Sequence, residues 1–160
     1  MRAAIAVMGL VALLAGCGGR DDVATMSAPT YAGATPQMMA LVERYADVHD
    51  IPPELLHRVI QRESGYNPAA RNGPYLGLMQ ILPETARTMG FRGEPSELLN
   101  AETNLQYAGA YLRGAWIVSN GNVDKAVQWY ASGYYYEARD RCLLVPTGLR
   151  QSEIARHCRT

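Results

Sequence analysis

Residues 63–80 read ESGYNPAARNGPYLGLMQ, and the reading of this stretch decides the rest. Glu63 closes a segment with helical period: Leu56, Val59 and Ile60 precede it by seven, four and three residues. At about 3.6 residues per turn these four side chains share one face. A carboxylate therefore stands on the stripe that otherwise faces the core. Gly65 stops the helix, with Pro68 beyond it. Negative charge at a helix C-terminus opposes the macrodipole, and apolar neighbours disfavour ionisation. Both effects push the Glu63 pKa upward, the direction that suits a general acid. The alternative, on position alone, is a frayed helix end whose glutamate turns to solvent.

The remaining pattern is helical. Thr35 and Pro36 have the order of an N-cap and a first helical residue. The apolar residues Met39, Leu41, Val42, Tyr45 and Ala46 then supply one face of a first helix. Ile51-Pro52-Pro53 separates it from the helix that carries Glu63. Residues 67–76, with Pro68, Asn72-Gly73 and Pro74, read as a loop without enough alternation for a real sheet. Residues 78–89 read as helical, interrupted near Pro83 and closed by Gly90. Residues 96–99 suit one short turn. The longest helix is expected over residues 101–120, where Leu105, Ala108, Leu112, Ala115 and Trp116 recur at spacings of three and four. Gly121 ends it, and Asn122 caps a helix carrying Ala126, Val127, Trp129 and Tyr130. Helix resumes after Gly133 through Tyr134, Tyr135, Tyr136 and Ala138, and the tail is weakly patterned apart from Leu143-Leu144-Val145. Trp116 and Trp129 read as core. His57 and His157 read as isolated surface or local hydrogen-bonding groups.

Composition bounds the function. The 160 residues suffice for one domain plus ends, and 48% apolar content is ordinary for a globular core. A formal net charge of zero argues against capture of nucleic acid or anionic lipid by bulk charge. It leaves open a glycan, bound through stacking and hydrogen bonds. No internal repeat and no heptad array is visible.

The first residues read as a targeting device, outside the fold. Arg2 supplies a positive start, and the apolar run at residues 3–14 is too short to remain as a membrane-spanning helix. Leu14-Ala15-Gly16-Cys17 resembles the bacterial lipobox, which implies a signal at residues 1–16 and a lipidated Cys17. The alternative is an ordinary secretory signal cut nearby. Gly18, in place of Asp, leaves the outer membrane as the expected destination, on the periplasmic side. Residues 17–34, rich in Gly, Ala, Ser, Thr and Asp, read as a flexible tether. With Cys17 lipidated, Cys142 and Cys158 remain as a disulfide pair in an exported protein. It would close a loop of about 15 residues, worth up to about 3 kcal/mol on the chain-entropy view. Their spacing with His157 matches no zinc pattern, so no metal and no cofactor is expected.

The words around Glu63 are more specific than its position. Glu63-Ser64, then Gly77-Leu78-Met79-Gln80, then Pro83, Thr85 and Ala86 resemble the soluble lytic transglycosylase family, lysozyme-like enzymes that cut peptidoglycan. Asn104, Gly109 and Tyr111-Leu112 match a later helix of that family. Tyr130-Ala131-Ser132-Gly133 stands where members have Tyr-Asn-Ala-Gly. Several ordered motifs at compatible spacing say more than any one. There are departures: the segment before Gly77 is one residue short, Asn72 stands where many members carry serine, and Ala131 replaces the asparagine.

The resemblance implies a mostly α-helical, lysozyme-like domain over residues 35–140, with at most a small extended segment beside the active-site loop. A disulfide-closed extension follows at residues 141–160. It implies Glu63 as the sole catalytic acid, with Ser64, Asn72, Met79, Gln80 and Tyr130 as substrate-binding residues, Met79 acting mainly through packing. The implied substrate is the peptidoglycan glycan strand, cleaved between N-acetylmuramic acid and N-acetylglucosamine to give 1,6-anhydro ends. Glu84, Asp124, Glu137 and Asp140 match no second catalytic carboxylate. The other tyrosines, Tyr134 to Tyr136, are candidates for a saccharide groove. Rival readings are a muramidase on the same fold, and a non-catalytic peptidoglycan-binding or secretion-assembly lipoprotein. Further partners would be a secretion or wall-remodelling complex, and not nucleic acid.

Overall fold

The computed structural model describes residues 31–159. The expected signal at residues 1–16, the lipid site at Cys17 and most of the expected tether lie outside the described residues. Helix α1 spans Pro36–Val48. Its N-cap Thr35 accepts from the Met38 amide at 3.2 Å, and Val42 and Ala46 face the core. Helix α2, Pro53–Glu63, buries Leu55, Leu56, Val59 and Ile60. The period of these residues sets the face, and Pro53 sets the start, where the missing N–H has no consequence.

His57 also lies on the buried side of α2, only 2% exposed, which excludes the surface reading and leaves that of a hydrogen-bonding group. Two aromatic partners hold it there. Its Nδ1 lies 2.6 Å from the Tyr66 hydroxyl, and the Tyr31 ring stacks on it at 4.1 Å and 9°. Tyr31 belongs to the expected tether, so that boundary is also corrected. Residues 31–34 pack onto the domain, with Gly33 directly against the Gly65 carbonyl.

Strands β1, Arg71–Asn72, and β2, Tyr75–Leu76, form a minimal antiparallel hairpin with Asn72 opposite Tyr75. An isolated bridge joins Leu76 to Ile81, with both N–H···O distances 3.1 Å. Helix α3 covers only Pro83–Thr88. The helix expected from residue 78 is therefore a turn as far as Gln80. Gly77 and Gln80 have φ of +76° and +49°, which no α-helix accommodates.

A 3-10 turn at Pro95–Leu99 leads into α4, Ala101–Val118, whose N-cap Asn100 accepts from the Thr103 amide at 3.0 Å. This helix is the centre of the fold, packed against α1, α3 and α5. Leu105, Ala108, Leu112 and Ala115 on it are fully buried. Helix α5, Val123–Ser132, is capped by Asn122, and α6, Tyr135–Asp140, follows the bend at Gly133. Trp116 on α4 and Trp129 on α5 are partly exposed at the margin of the core instead of inside it. The tail is more ordered than its pattern foretells. Leu144 is fully buried, Cys142 and Cys158 are disulfide-bonded with Cα atoms 5.4 Å apart, and Arg141 donates to the Val118 carbonyl at 2.6 Å. That guanidinium meets the negative end of the α4 dipole. Among the described residues no helix is long and apolar enough to cross a membrane.

Candidate active site

Glu63 is the last residue of α2, and Ser64 is its C-cap. The Ser64 amide donates to Ile60 O at 3.0 Å, while its hydroxyl donates to Leu78 O at 2.7 Å. The helix end is thus tied directly to the Gly77-Leu78-Met79-Gln80 turn. The Glu63 side chain remains 23% exposed. Burial raises its pKa, and the neighbouring Arg62, 3.6 Å away and half exposed, partly offsets this. Burial is thus the leading cause, and the opposing arginine is a neighbour that helical periodicity does not weigh.

The turn is organised from α4. Asn104 is fully buried there and makes three bonds. Its Nδ2 donates to Leu76 O at 2.9 Å and Leu98 O at 2.8 Å, and its Oδ1 accepts from the Met79 amide at 2.9 Å. Gly77 lies so close that a Cβ would strike Leu98 O and the Asn104 amide. A side chain is excluded at residue 77 by this contact as well as by its positive φ.

These bonds sort the expected site residues. Met79 is fully buried, so its side chain packs in the core, the role expected for it, and is not open to direct contact. Its backbone is what matters: the carbonyl accepts from the Tyr130 hydroxyl at 2.8 Å. Gln80 is 8% exposed, and its Nε2 donates to Ala70 O at 3.1 Å and Gly77 O at 2.9 Å, holding hairpin to turn. Ser64 has the same clamping character. Asn72 is exposed on β1. Tyr130 is held strongly against ionisation by burial first, then by the nearby Glu63 charge and by Tyr111. It therefore faces Glu63 as a neutral phenol.

A cavity of about 250 Å³ adjoins these groups, lined by Tyr75, Gln80, Ile81, Thr85, Tyr111 and Tyr130. The Tyr111 and Tyr130 rings meet edge to face at 5.6 Å. Tyr134 is not available to a groove: it is buried and donates to Tyr111 O at 2.8 Å. Tyr111, Tyr75 and Asn104 are the members that site reasoning missed. Tyr111 and Asn104 were visible as motif matches, but without a role. Of the other carboxylates, Asp124 pairs with Arg58 at 2.7 Å, Asp140 with Arg139 at 2.7 Å and Glu137 with Arg141 at 3.6 Å. The Cys142, Cys158 and His157 side chains cluster, but the sulfurs are bonded to each other and His157 Nε2 lies 3.0 Å from Asp140 O.

This arrangement of helix-end glutamate, buried turn and asparagine-bearing helix coincides with a family model. The transglycosylase SLT domain matches residues 40–140. The chain belongs to the transglycosylase SLT family. The chain is 37% identical over 126 residues to an endo-type membrane-bound lytic murein transglycosylase A of Klebsiella pneumoniae subsp. pneumoniae, covering 70% of this chain and 59% of the relative. It is 35% identical over 139 residues to the protein of that description from Salmonella paratyphi B, covering 76% and 66%. The match thus spans about three fifths to two thirds of these relatives' lengths. Among solved structures, the 70 kDa soluble lytic transglycosylase of Escherichia coli superposes with a TM-score of 0.55 at 28% identity, over 68% of this chain and 18% of that one. The SLT architecture here is accordingly mostly α and lysozyme-like.

Proposed function

We propose that the protein is a lytic transglycosylase that cleaves the β-1,4 bond between N-acetylmuramic acid and N-acetylglucosamine in peptidoglycan without water. The observation that carries this reading is the setting of Glu63. Its largely sequestered carboxyl favours the protonated form and stands on a helix end that Ser64 clamps to the turn. A glycosidic oxygen leaves as an alcohol only when protonated, and a raised-pKa carboxylic acid supplies that proton. Asp124, Glu137 and Asp140 are held in arginine pairs, and Glu84 lines a neighbouring cavity and not the one formed by Gln80 and Tyr130. A hydrolase needs a second carboxylate as base or nucleophile.

In the single-acid route Glu63 protonates the leaving oxygen while the substrate's own N-acetyl oxygen stabilises the cationic carbon. The carboxylate then takes the proton from the muramyl C6 hydroxyl, which closes the 1,6-anhydro ring. Intramolecular attack avoids the entropy cost of recruiting a separate nucleophile. Tyr130, neutral and fixed to Met79 O, and Gln80, fixed to Ala70 O, line the adjoining cavity, where a sugar or its acetamido group is placed. Asn72, exposed on β1, is assigned a peripheral polar contact.

The anchoring reading belongs with this one. Residues 1–16 act as a lipoprotein signal, Cys17 carries lipid, and the domain works on the periplasmic side of the outer membrane, alone or within a wall-remodelling or secretion complex. The relatives are themselves named membrane-bound. Digestion of purified sacculi in ¹⁸O-water, followed by mass analysis, tests the chemistry. Products should end in 1,6-anhydro-muramic acid, one water lighter than hydrolytic ends, and carry no label. Labelled reducing ends would make the protein a muramidase. Binding without turnover would make it a wall-binding lipoprotein. Cys17→Ser should abolish membrane fractionation; unchanged fractionation and mature mass would remove the lipid anchor.

A further inference from the structure

A second cavity of about 390 Å³ neighbours the one beside Gln80 and Tyr130, and Thr85 and Tyr111 line both. This second cavity is walled by Glu84 from α3, Tyr135 from α6, and Leu149 and Arg150 from the C-terminal extension. The family match stops at residue 140. Leu149 and Arg150 are therefore contributed by a segment beyond the shared domain.

Arg150 is held in place. Its Nε donates to the Tyr135 hydroxyl at 2.9 Å, and its guanidinium carbon lies 5.7 Å from the centre of that ring. Its backbone amide donates to Leu144 O at 3.2 Å, on a fully buried leucine, and the Thr147 hydroxyl fixes the same turn through Leu143 O at 2.6 Å. The bond to Tyr135 takes one of five guanidinium donors and leaves the fork open. Among the described residues neither Arg150 nor Glu84 has an ion-pair partner, although both line one cavity. Elsewhere on this surface opposite charges close up, as in Arg58 with Asp124 at 2.7 Å and Arg113 with Asp50 at 3.0 Å. Here a cation and an anion face the same space and stay apart.

We infer that this second cavity is a subsite for a zwitterionic amino acid of the peptide stem carried by the glycan, its carboxylate on Arg150 and its ammonium on Glu84. The inference rests on the reading of the chain as a peptidoglycan enzyme. A backbone of acetylated sugars offers neither charge, whereas a stem containing a diamino acid offers both. The planar fork of arginine matches a carboxylate in two parallel bonds. An ionised glutamate is an acceptor only, and suits an ammonium. Tyr111 and Tyr135 supply flat faces for the intervening chain.

The test is equilibrium binding by the full-length chain carrying Glu63→Gln, with two probes: glycan strands bearing peptide stems, and the same strands after amidase treatment. Stem-bearing strands should bind about tenfold more tightly, the scale of one charge-assisted contact. Arg150→Ala and Glu84→Gln should each remove most of that difference and leave the affinity for stripped strands unchanged. Arg150→Lys, which keeps the charge but loses the fork, should retain part of it. Equal binding of both probes, or equal weakening of both by the variants, overturns the subsite. Arg150-dependent binding of stripped strands, which expose the lactyl carboxylate, reassigns the site to that group and also overturns it. Failure of the catalytic reading is separable: wild-type digests lacking anhydro ends would sink that reading while a stem-dependent affinity stood.

Discussion

Glu63 and Asn104 are both polar groups taken out of water, and they meet the cost in opposite ways. Asn104 satisfies both donors and its acceptor with backbone groups. Asn104→Ala would take the side-chain partner from Met79 N and Leu98 O, leave Leu76 O only its bond from the Ile81 amide, and should cost about 3 kcal/mol. Urea unfolding reads this, and a loss under about 1 kcal/mol would mean the turn is held by other means. Glu63 has its burial only partly offset by Arg62, so its folded pKa lies above the ordinary value of 4.5. The sign follows. Below the ordinary value the carboxyl is protonated in both states and its burial is tolerated. As pH rises through the raised folded value the folded state must hold an unfavourable charge, and stability is lost. Glu63→Gln should therefore melt higher than the wild type at neutral pH, with the gap closing near pH 4, while turnover falls by about 10²–10⁴. A variant less stable than wild type at neutral pH would show that Glu63 is held by partners instead of being strained. The carboxylate was legible in the sequence because helical spacing alone places it. The work of Asn104 was not, because its partners lie on residues 76, 79 and 98, and nothing in local spacing points to them.

Helix α4 supports both ends of the site, and its glycine at residue 109 allows it. The His49 ring occupies the place a Cβ would fill, and its Nε2 reaches the Leu105 carbonyl at 2.9 Å. Only a protonated Nε2 donates there. Burial lowers the His49 pKa, with the Leu105 bond opposing and Arg113 adding to the decrease. The histidine is thus neutral when folded and takes up a proton on unfolding once pH falls below its ordinary 6.5. Its contribution to stability is complete above that value and is lost as pH falls toward the lowered one. His49→Gln should flatten the decline in stability between pH 7 and pH 5 relative to wild type; an unchanged slope would contradict this. Gly109→Ala should cost about 1–3 kcal/mol, because the ring must leave its place. Most elements of this kind were legible from caps and periods, as Thr35, Asn100 and Asn122 illustrate. The failure at residues 78–80 has a physical cause. An apolar run there has helical composition, but Gly77 and Gln80 adopt positive φ and hydrogen-bond to other parts of the fold.

Over the whole molecule, the two described ends of the chain are pinned to different elements of the domain. Residues 31–34 lie against α2 and Gly65 just behind Glu63, and residues 141–159 close over α4 and α6 under the Cys142–Cys158 bond. The composition of the first flank suggested a loose tether, and the second was weakly patterned apart from Leu143-Leu144-Val145, because one tyrosine or one leucine is too little pattern to reveal docking. The central site does not draw on the disulfide loop: Glu63, Ser64, Met79, Gln80, Asn104 and Tyr130 are joined through α2, α4, α5 and the turn. The loop does hold Arg141 against the end of α4 and Arg150 against Tyr135. Opening it should therefore separate stability from basal chemistry. Replacing both cysteines by serine should remove up to about 3 kcal/mol of unfolded-state restriction and lower the melting temperature by roughly 10 °C. At temperatures where the domain remains folded, cleavage of peptide-free glycan should persist at near wild-type rate, while the preference for stem-bearing strands weakens with the loss of a fixed Arg150. Equal melting temperatures with and without the bond would show that Leu144 and Arg141 alone keep the extension docked. Loss of all cleavage below the melting transition would show that the extension reaches the chemistry of Glu63 itself.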